Sequence, residues 1–453
     1  MKLISKIENF FARFLPSPFT LSIILSIISL VLAYFFGDFN TEESQIVSVF
    51  SAWQNGIWNS DLLVFGYQMM LILVLGHILV LSEPVNFVLE KITSFVSDTK
   101  NAVVLVSVAT MFMGFFNWGL GLIFGAILVR KIGEKSAKEN LNINYPLVGA
   151  LGYSGMMIWH GGISGSAPLK VAEQGHLQNL MGENSNSFPD FISTADTIFS
   201  FENLIVFGIV LVIVPIIFRK IQKYSTSNFK LNILLDKPED KIESHHKHPL
   251  ESHRFVSLIF GGLLLTAFFI AYIENIKNLN LTPNMLNFLM LGLGILLHKN
   301  IIKYLKALSE AIKGASGILI QFPLYFGIIG LMKDSGLAIN FANFFVSISN
   351  ETTLPIFTFI SSGIVNIFVP SGGGQWAIQG PIAIDSATKL GVPLPKIVMA
   401  LSYGDQITNM LQPFWALPLL AITKLKASDI FPFTFILFII GSIIYIFGLL
   451  FIF

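Results

Sequence analysis

Long apolar runs alternate with short polar ones from one end of the chain to the other. Such runs approach the ~20 residues that a helix needs to cross a bilayer. They predict spans at 18–36, 61–81, 201–218, 255–272, 284–298, 316–331 and 431–453. Two amphipathic stretches, 83–97 and 336–349, predict helices lying along the membrane interface. Residues 1–16 set Lys2, Lys6 and Arg13 among apolar positions and read as an amphipathic lead-in. A cleaved signal peptide is the alternative, but no small-residue cleavage site follows the first apolar run. The pattern is that of an all-α polytopic membrane protein.

Four further runs are apolar but interrupted. Residues 101–129 contain Asn117-Trp118-Gly119-Leu120-Gly121, and 354–384 enclose Pro370-Ser371-Gly372-Gly373-Gly374-Gln375-Trp376-Ala377-Ile378-Gln379-Gly380-Pro381. Each reads as a re-entrant hairpin with its interruption at the tip, the second entering from outside. Residues 147–169 carry Gly152-Tyr153-Ser154-Gly155 and His160-Gly161-Gly162; residues 397–422 are interrupted at 403–409 and at Gln412-Pro413. Both read as broken helices. Irregular backbone is tolerated at membrane depth only where protein or a wet cavity satisfies its N–H and C=O groups. The run 370–381 is therefore the expected working centre, with a partner from the first half.

Composition narrows the class further. Hydrophobic residues make up 53% of the chain and charged residues 12%, against about a quarter charged in soluble domains. A net charge of +1 suggests no nucleic-acid partner. With no cysteine there is no disulfide and no thiolate metal site. Loops 37–60 and 171–200 lack lysine and arginine and read as outside, whereas Arg130, Lys131, Lys135 and Lys138 mark the cytoplasm. The N-terminus is then cytoplasmic and the C-terminus outside. The polar stretch 219–254, with His245, His246, His248 and His253, reads as a cytoplasmic linker between a half at 1–218 and a half at 255–453. Its histidines allow a metal site, but a solvated linker explains them as simply.

The halves share letters at the breaks. Ala150-Leu151-Gly152-Tyr153 and Pro168-Leu169 match Ala400-Leu401-Ser402-Tyr403 and Pro418-Leu419 at an offset of about 250 residues. Loop charges give the two copies opposite orientation. An inverted-topology repeat with broken helices at corresponding positions is the mark of a secondary transporter, with its site near the midplane.

The run 370–381 resembles the signature of the short-chain fatty acid transporter family, within the ion transporter superfamily. Phe116-Asn117-Trp118-Gly119-Leu120-Gly121-Leu122 is similar to that family's pattern, as are His160-Gly161-Gly162-Ile163-Ser164-Gly165-Ser166-Ala167-Pro168 and Ser402-Tyr403-Gly404-Asp405-Gln406 with Thr408-Asn409. The resemblance covers nearly the whole chain. It implies uptake or exchange of small monocarboxylates such as acetoacetate or butyrate, by a homodimer of inverted-repeat subunits with two opposed re-entrant hairpins. It also implies elevator-like alternating access in the bacterial cytoplasmic (inner) membrane.

A carboxylate in a membrane needs donors and positive potential, which helix N-termini supply. The expected substrate site is Asn117, Trp118, Gly119, Gly121, Ser371, Gly372, Gly373, Gly374, Gln375 and Asn409. Close helix packing is the plainer reading of the glycines. Trp118 and Trp376 are candidates to wall an aliphatic tail, and ordinary packing explains each as well. Asp405, Thr408, Ser154 and His160 are the expected coupling-ion residues, for H⁺ or Na⁺; no other cofactor is implied. His77, Gln321 and Asp385 read as core hydrogen bonding or solvated positions. A dicarboxylate carrier of the same fold, a passive channel, and a membrane enzyme using Ser371, His160 and Asp405 are the competing readings. The enzyme lacks both a zinc HExxH and a G-x-S-x-G elbow.

Overall fold

A computed structural model of the chain describes residues 2–39, 42–181, 188–224, 231, 249–277 and 282–453. Among these residues every regular element is a helix. His245, His246 and His248 lie outside the described residues.

The first half opens with α1 (Lys2–Phe14), whose Phe11 ring sits against Phe431 and Phe435 at the other end of the chain. Then come α2 (Pro18–Phe36), α3 (Gln45–Ile57), α4 (Ser60–Leu81) and the amphipathic α5 (Glu83–Thr93). Two helices, α6 (Thr99–Phe116) and α7 (Trp118–Glu139), form the first hairpin. The first broken helix is α8 (Tyr145–Gly152), two 3-10 turns over Ser154–Met157 and Trp159–Gly161, and α9 (Ser166–Val171). A short α10 (His176–Met181) precedes α11 (Phe201–Ile221).

The second half follows a related order. It runs α12 (Pro249–Ser252), α13 (Arg254–Lys277), α14 (Pro283–Leu297), α15 (Ile301–Ala311), α16 (Ser316–Asp334) and α17 (Leu337–Ser347). The second hairpin is α18 (Leu354–Phe368) with α19 (Gly372–Leu390). The second broken helix is α20 (Leu394–Thr408), a 3-10 turn at Asn409–Leu411, and α21 (Pro413–Thr423); α22 (Ala427–Phe451) closes the chain. Among the described residues six helices are long and apolar enough to cross a membrane, or seven if α16 and α17, bent by 57°, form one span.

Three boundaries differ from the sequence expectation. Residues 37–60 are not an open loop, because α3 fills most of them and packs along α16. Gly56 makes this possible: it lies so close to Gly327 and Gly330 that a β-carbon there would stand 3.0 Å from each α-carbon. The break expected at 403–409 is helical as far as Thr408, and the true interruption is Asn409–Gln412. The first hairpin turns on Asn117 alone, so Trp118 to Gly121 are already the first turn of α7.

The helices fall into two groups. In one, α16 packs on α2 and α3, and α14 on α4 and α13. In the other, each hairpin lies on its own broken helix, α6 and α7 on α8, α18 and α19 on α20. The second helix of each hairpin also reaches the far limb of the opposite break, α7 on α21 and α19 on α9. Lipid offers no hydrophobic drive between helices, so close approach and interhelical hydrogen bonds hold such contacts. Glycine supplies the approach: a β-carbon on Gly125 would collide with the Gly152 carbonyl, and one on Gly404 with the Phe359 carbonyl. Tyrosines supply the bonds. Tyr145 donates to the Thr423 carbonyl (3.0 Å), Tyr153 to that of Asn409 (3.0 Å), and Tyr445 to that of Met157. At one end of the first group Glu83 pairs with Lys299 (2.6 Å) and Lys303 (3.0 Å), and the two ammonium groups hold its carboxyl down at about 2.

Candidate functional site

The two hairpin tips converge on one segment, 159–166. At the first tip the Asn117 side-chain oxygen accepts the Leu120 N–H (3.0 Å) and caps α7, while the Trp118 N–H donates to Ser164 Oγ (3.0 Å). At the second, Ser371 Oγ accepts the Gly374 N–H (3.3 Å) and caps α19. Gly372 sits so tightly that a β-carbon would lie 2.7 Å from Trp159, 2.8 Å from His160 and 3.1 Å from Ser166. Gly373 and Gly374 are exposed. First-turn N–H groups have no intrahelical acceptor, and the helix dipole adds positive potential there. The tips so named carry no lysine or arginine.

An aromatic wall stands beside the first tip. Trp118 lies 5.2 Å from Trp415 and 6.4 Å from Trp159, ring centre to ring centre, and Phe65 closes on Trp118 and Trp415 at 6.4 and 5.9 Å. Trp159 in turn stacks on His160 at 4.5 Å. Trp376 takes no part in this wall. It is buried in a separate cluster, where its ring N–H donates to His176 Nε2 (3.0 Å).

Behind the wall is a buried polar core. His160 and Asp405 are 0% and 1% exposed, and His160 Nδ1 lies 3.2 Å from Asp405 Oδ1. His160 Nε2 accepts the Ala167 N–H (3.1 Å), which assigns the imidazole proton to Nδ1, on the Asp405 side. The pair is close in distance but off line for a hydrogen bond, which leaves His160 Nδ1 buried without a partner; Asp405 Oδ2, the other oxygen, is buried without one as well. Distance describes the electrostatic contact, and angle shows that this contact is not a formed bond.

Around it, the Asn366 amide nitrogen donates to the Asp405 carbonyl (2.7 Å), Thr408 Oγ1 (2.9 Å) and Asn409 Oδ1 (3.0 Å). Of the oxygens expected to hold Na⁺, those of Thr408 and Asn409 stand here around an amide nitrogen, with the main-chain carbonyl of Asp405 rather than its carboxylate. Gln406 Oε1 accepts the His160 and Gly161 N–H groups, each at 2.9 Å. Tyr403 donates to Asn203 (2.7 Å), which donates to the Gly161 carbonyl (2.9 Å).

The remaining expected residues are placed as follows. Gln375 is buried, and its amide nitrogen is engaged within the hairpin system by Ser362 and Gln379 at 2.6–2.8 Å. Gly121 packs on Gly114, where a β-carbon would be 2.6 Å from the α-carbon, and Gly119 has only ordinary contacts. Ser154 Oγ is bonded to its own helix at the Leu151 carbonyl (2.7 Å). Asn409 faces the break, donating to the Met156 carbonyl (3.2 Å). Asp385 is paired with Lys389 (2.6 Å) at the surface. Asn366, Trp159 and Trp415 are not singled out by the sequence, and Gln406 enters only as a member of the 402–409 motif. A lone asparagine on an apolar run was the available signal for Asn366.

The sequence profile described as "Short chain fatty acid transporter" matches residues 1–452. A relative from Escherichia coli (strain K12), named for short-chain fatty acid transport, is 35% identical over 458 residues, 99% of each chain. The chain belongs to the short-chain fatty acid transporter family. A relative from Haemophilus influenzae (strain ATCC 51907 / DSM 11121 / KW20 / Rd), named likewise, is 34% identical over 98% of each chain. Among solved structures, Neisseria gonorrhoeae MtrF, titled as illuminating a class of antimetabolite efflux pumps, aligns at TM-score 0.42 and 14% identity over 98% of this chain and 97% of its own. The Alcanivorax borkumensis YdaH transporter, titled as having an unusual topology, aligns at TM-score 0.45 and 12% identity over 95% and 98%. In this short-chain fatty acid transporter the tips offer backbone donors and dipole potential, Trp118, Trp159 and Trp415 offer an apolar wall, and His160 lies in buried contact with Asp405.

Proposed function

We propose that the transporter carries short-chain aliphatic monocarboxylates, butyrate and acetoacetate among them, in symport with protons. The observation that carries the proposal is the buried His160–Asp405 contact directly behind both hairpin tips. The substrate carboxylate would accept from the N-terminal turns of α7 and α19, with Ser371 and Gly373 nearest. Its alkyl chain would lie on Trp118, Trp159 and Trp415. A buried carboxylate is costly at membrane depth. A proton taken up at Asp405 would cancel that charge as the substrate anion arrives, so that the loaded carrier moves without added charge. His160 Nε2 is committed to the Ala167 N–H, which ties the ring to the 160–167 segment.

A second reading is supported by the oxygens around Asn366: the Asp405 carbonyl, Thr408 Oγ1 and Asn409 Oδ1 suit a hard cation, and Na⁺ coupling would require the amide to swing away. Alternating access would arise from sliding of the hairpin group against the α2–α4 and α13–α16 group. We place two copies in the bacterial cytoplasmic membrane, with the N-terminus and the 219–254 linker inside and the C-terminus outside, from the lysine and arginine distribution and the family resemblance.

Counterflow of labelled butyrate against unlabelled acids tests the substrate class. Acetoacetate is expected to compete and succinate is not, because the tips hold no cationic side chain for a second carboxylate. Competition by succinate with none by acetoacetate would move the assignment to dicarboxylates.

A further inference from the structure

Trp376 stands outside the central site, and its one polar contact crosses the chain. Its indole lies flat over Gly380 on the same helix, where a β-carbon would stand 2.9–3.0 Å from three ring atoms. The missing side chain lets the ring lie along α19. The ring N–H donates to His176 Nε2 (3.0 Å) at the start of α10, 200 residues away in sequence. The two rings are 29° from parallel, with centres 6.4 Å apart.

The segment that carries His176 is a strap over the second hairpin. It is closed on itself by the Gly175 N–H on the Asp190 carbonyl (3.0 Å) and the Ile192 N–H on the Val171 carbonyl (2.7 Å). Gly175, at φ +71°, makes a turn directly before His176 that a side chain would strain. Val171, Leu177 and Ile192 of the strap share one buried cluster with Trp376, Ala383 and Ala387 of α19. His176 itself is only half-buried.

His176 can hold this bond only as the neutral ring. An Nε2 that accepts leaves the proton on Nδ1, and a second proton turns Nε2 into a donor facing a donor. Burial lowers the His176 pKa from the ordinary histidine value, with Glu173 raising it and Lys170 lowering it. Those two charges are opposite in sign and pair with each other (2.8 Å). Asp190 is exposed, and its Oδ1 accepts the Gly175 N–H (3.1 Å). On α19 no titratable side chain precedes Asp385, which pairs with Lys389. The bond is therefore present at neutral pH and lost as pH falls through a value below about 6.5.

We propose that the strap latches the second hairpin shut through the His176–Trp376 bond, and that a proton taken up by His176 from the outer face releases it. Acid outside then frees the hairpin on the side from which proton and substrate enter. The inference rests on the proposed function for the side of the membrane and for the cargo.

The chain has no cysteine, so Leu177→Cys places a unique thiol beneath the strap and Asn179→Cys one on its exposed face. Labelling of each by a small methanethiosulfonate is measured in proteoliposomes from about pH 8 to about pH 5, the span over which histidine changes charge. The ratio of the two rates corrects for thiol ionisation. It is expected to rise at least about fivefold on acidification, the effect of one hydrogen bond lost. Trp376→Phe keeps a ring without a donor and is expected to hold the ratio high at every pH. His176→Gln keeps an acceptor that does not titrate and is expected to hold it low. A purely structural contact moves both variants the same way. A ratio indifferent to pH, or the same shift in both variants, overturns the inference. Butyrate exchange with both faces at one neutral pH, in chains without added cysteine, is expected to be faster in Trp376→Phe than in His176→Gln, and the reverse order also overturns it. The expected labelling in a protein that exchanges no butyrate fails the functional reading and leaves the latch standing.

Discussion

His160 stands in a position that fixes its chemistry. Its Nε2 is committed to the Ala167 N–H, its ring is covered by Trp159, and its remaining nitrogen faces Asp405 at 3.2 Å. Asp405 Oδ2 carries no such bond, so in the proposed symport Asp405 is the proton carrier and His160 positions it. Asp405→Asn keeps the shape and removes the charge. The expected outcome is loss of accumulation driven by a pH gradient, by at least about tenfold, with butyrate exchange retained. Proteoliposome uptake and counterflow measured on one preparation check it. Loss of both activities would assign Asp405 to structure. Asn366 belongs to the same scale: its amide donates to three buried acceptors, and stranding a buried polar group costs about 1–3 kcal/mol.

At the scale of elements, the hairpins rest on their broken helices through glycine. Gly125→Leu drives a side chain into the Gly152 carbonyl and Thr110, and overpacking of this kind costs about 1–3 kcal/mol or more. Gly208→Ala, in α11 with open space around it, is expected to be neutral or to raise stability by about 0.5–1 kcal/mol. Thermal unfolding of the two variants in detergent, followed by recovery of the monodisperse peak on size exclusion, separates them. Equal midpoints would contradict the packing account. The hairpins and breaks were legible in the sequence because glycine, asparagine and proline are costly inside apolar runs and so mark where regular helix ends. Two elements were not. Gln45, Ser48, Ser51, Gln54 and Asn55 make α3 look like a loop, yet several of these polar and small positions face α2 and α16 rather than water. Tyr403 to Thr408 look like the start of a break, yet they are regular helix that α18 answers: Asn366 donates to the Asp405 carbonyl and to Thr408 Oγ1. Polarity in a span signals either a break or a partner, and only the fold tells which. For the same reason Gln406 and Trp415 acquire their places from contacts more than 200 residues away in sequence: Gln406 touches His160 at a separation of 246.

At the scale of the whole molecule, two helix groups meet along α16 and α21, where Phe322 stacks on Phe414 at 4.3 Å. Sliding of one group past the other must break that contact. With no native cysteine in the chain, Phe322→Cys with Phe414→Cys forms a unique pair. Bridging it with a short bifunctional thiol reagent is expected to arrest uptake, and a reagent cleaved by reductant is expected to restore it. Full activity of the bridged protein would show that the groups do not move at this seam. The central claim, a proton-coupled carrier of short-chain monocarboxylates, is tested most directly by labelled butyrate uptake into proteoliposomes under a pH gradient alone and a Na⁺ gradient alone. Accumulation above equilibrium is expected with the pH gradient, abolished by Asp405→Asn, and absent with Na⁺. Accumulation driven by Na⁺ and indifferent to pH would contradict the proton assignment and transfer the coupling site to the oxygens around Asn366.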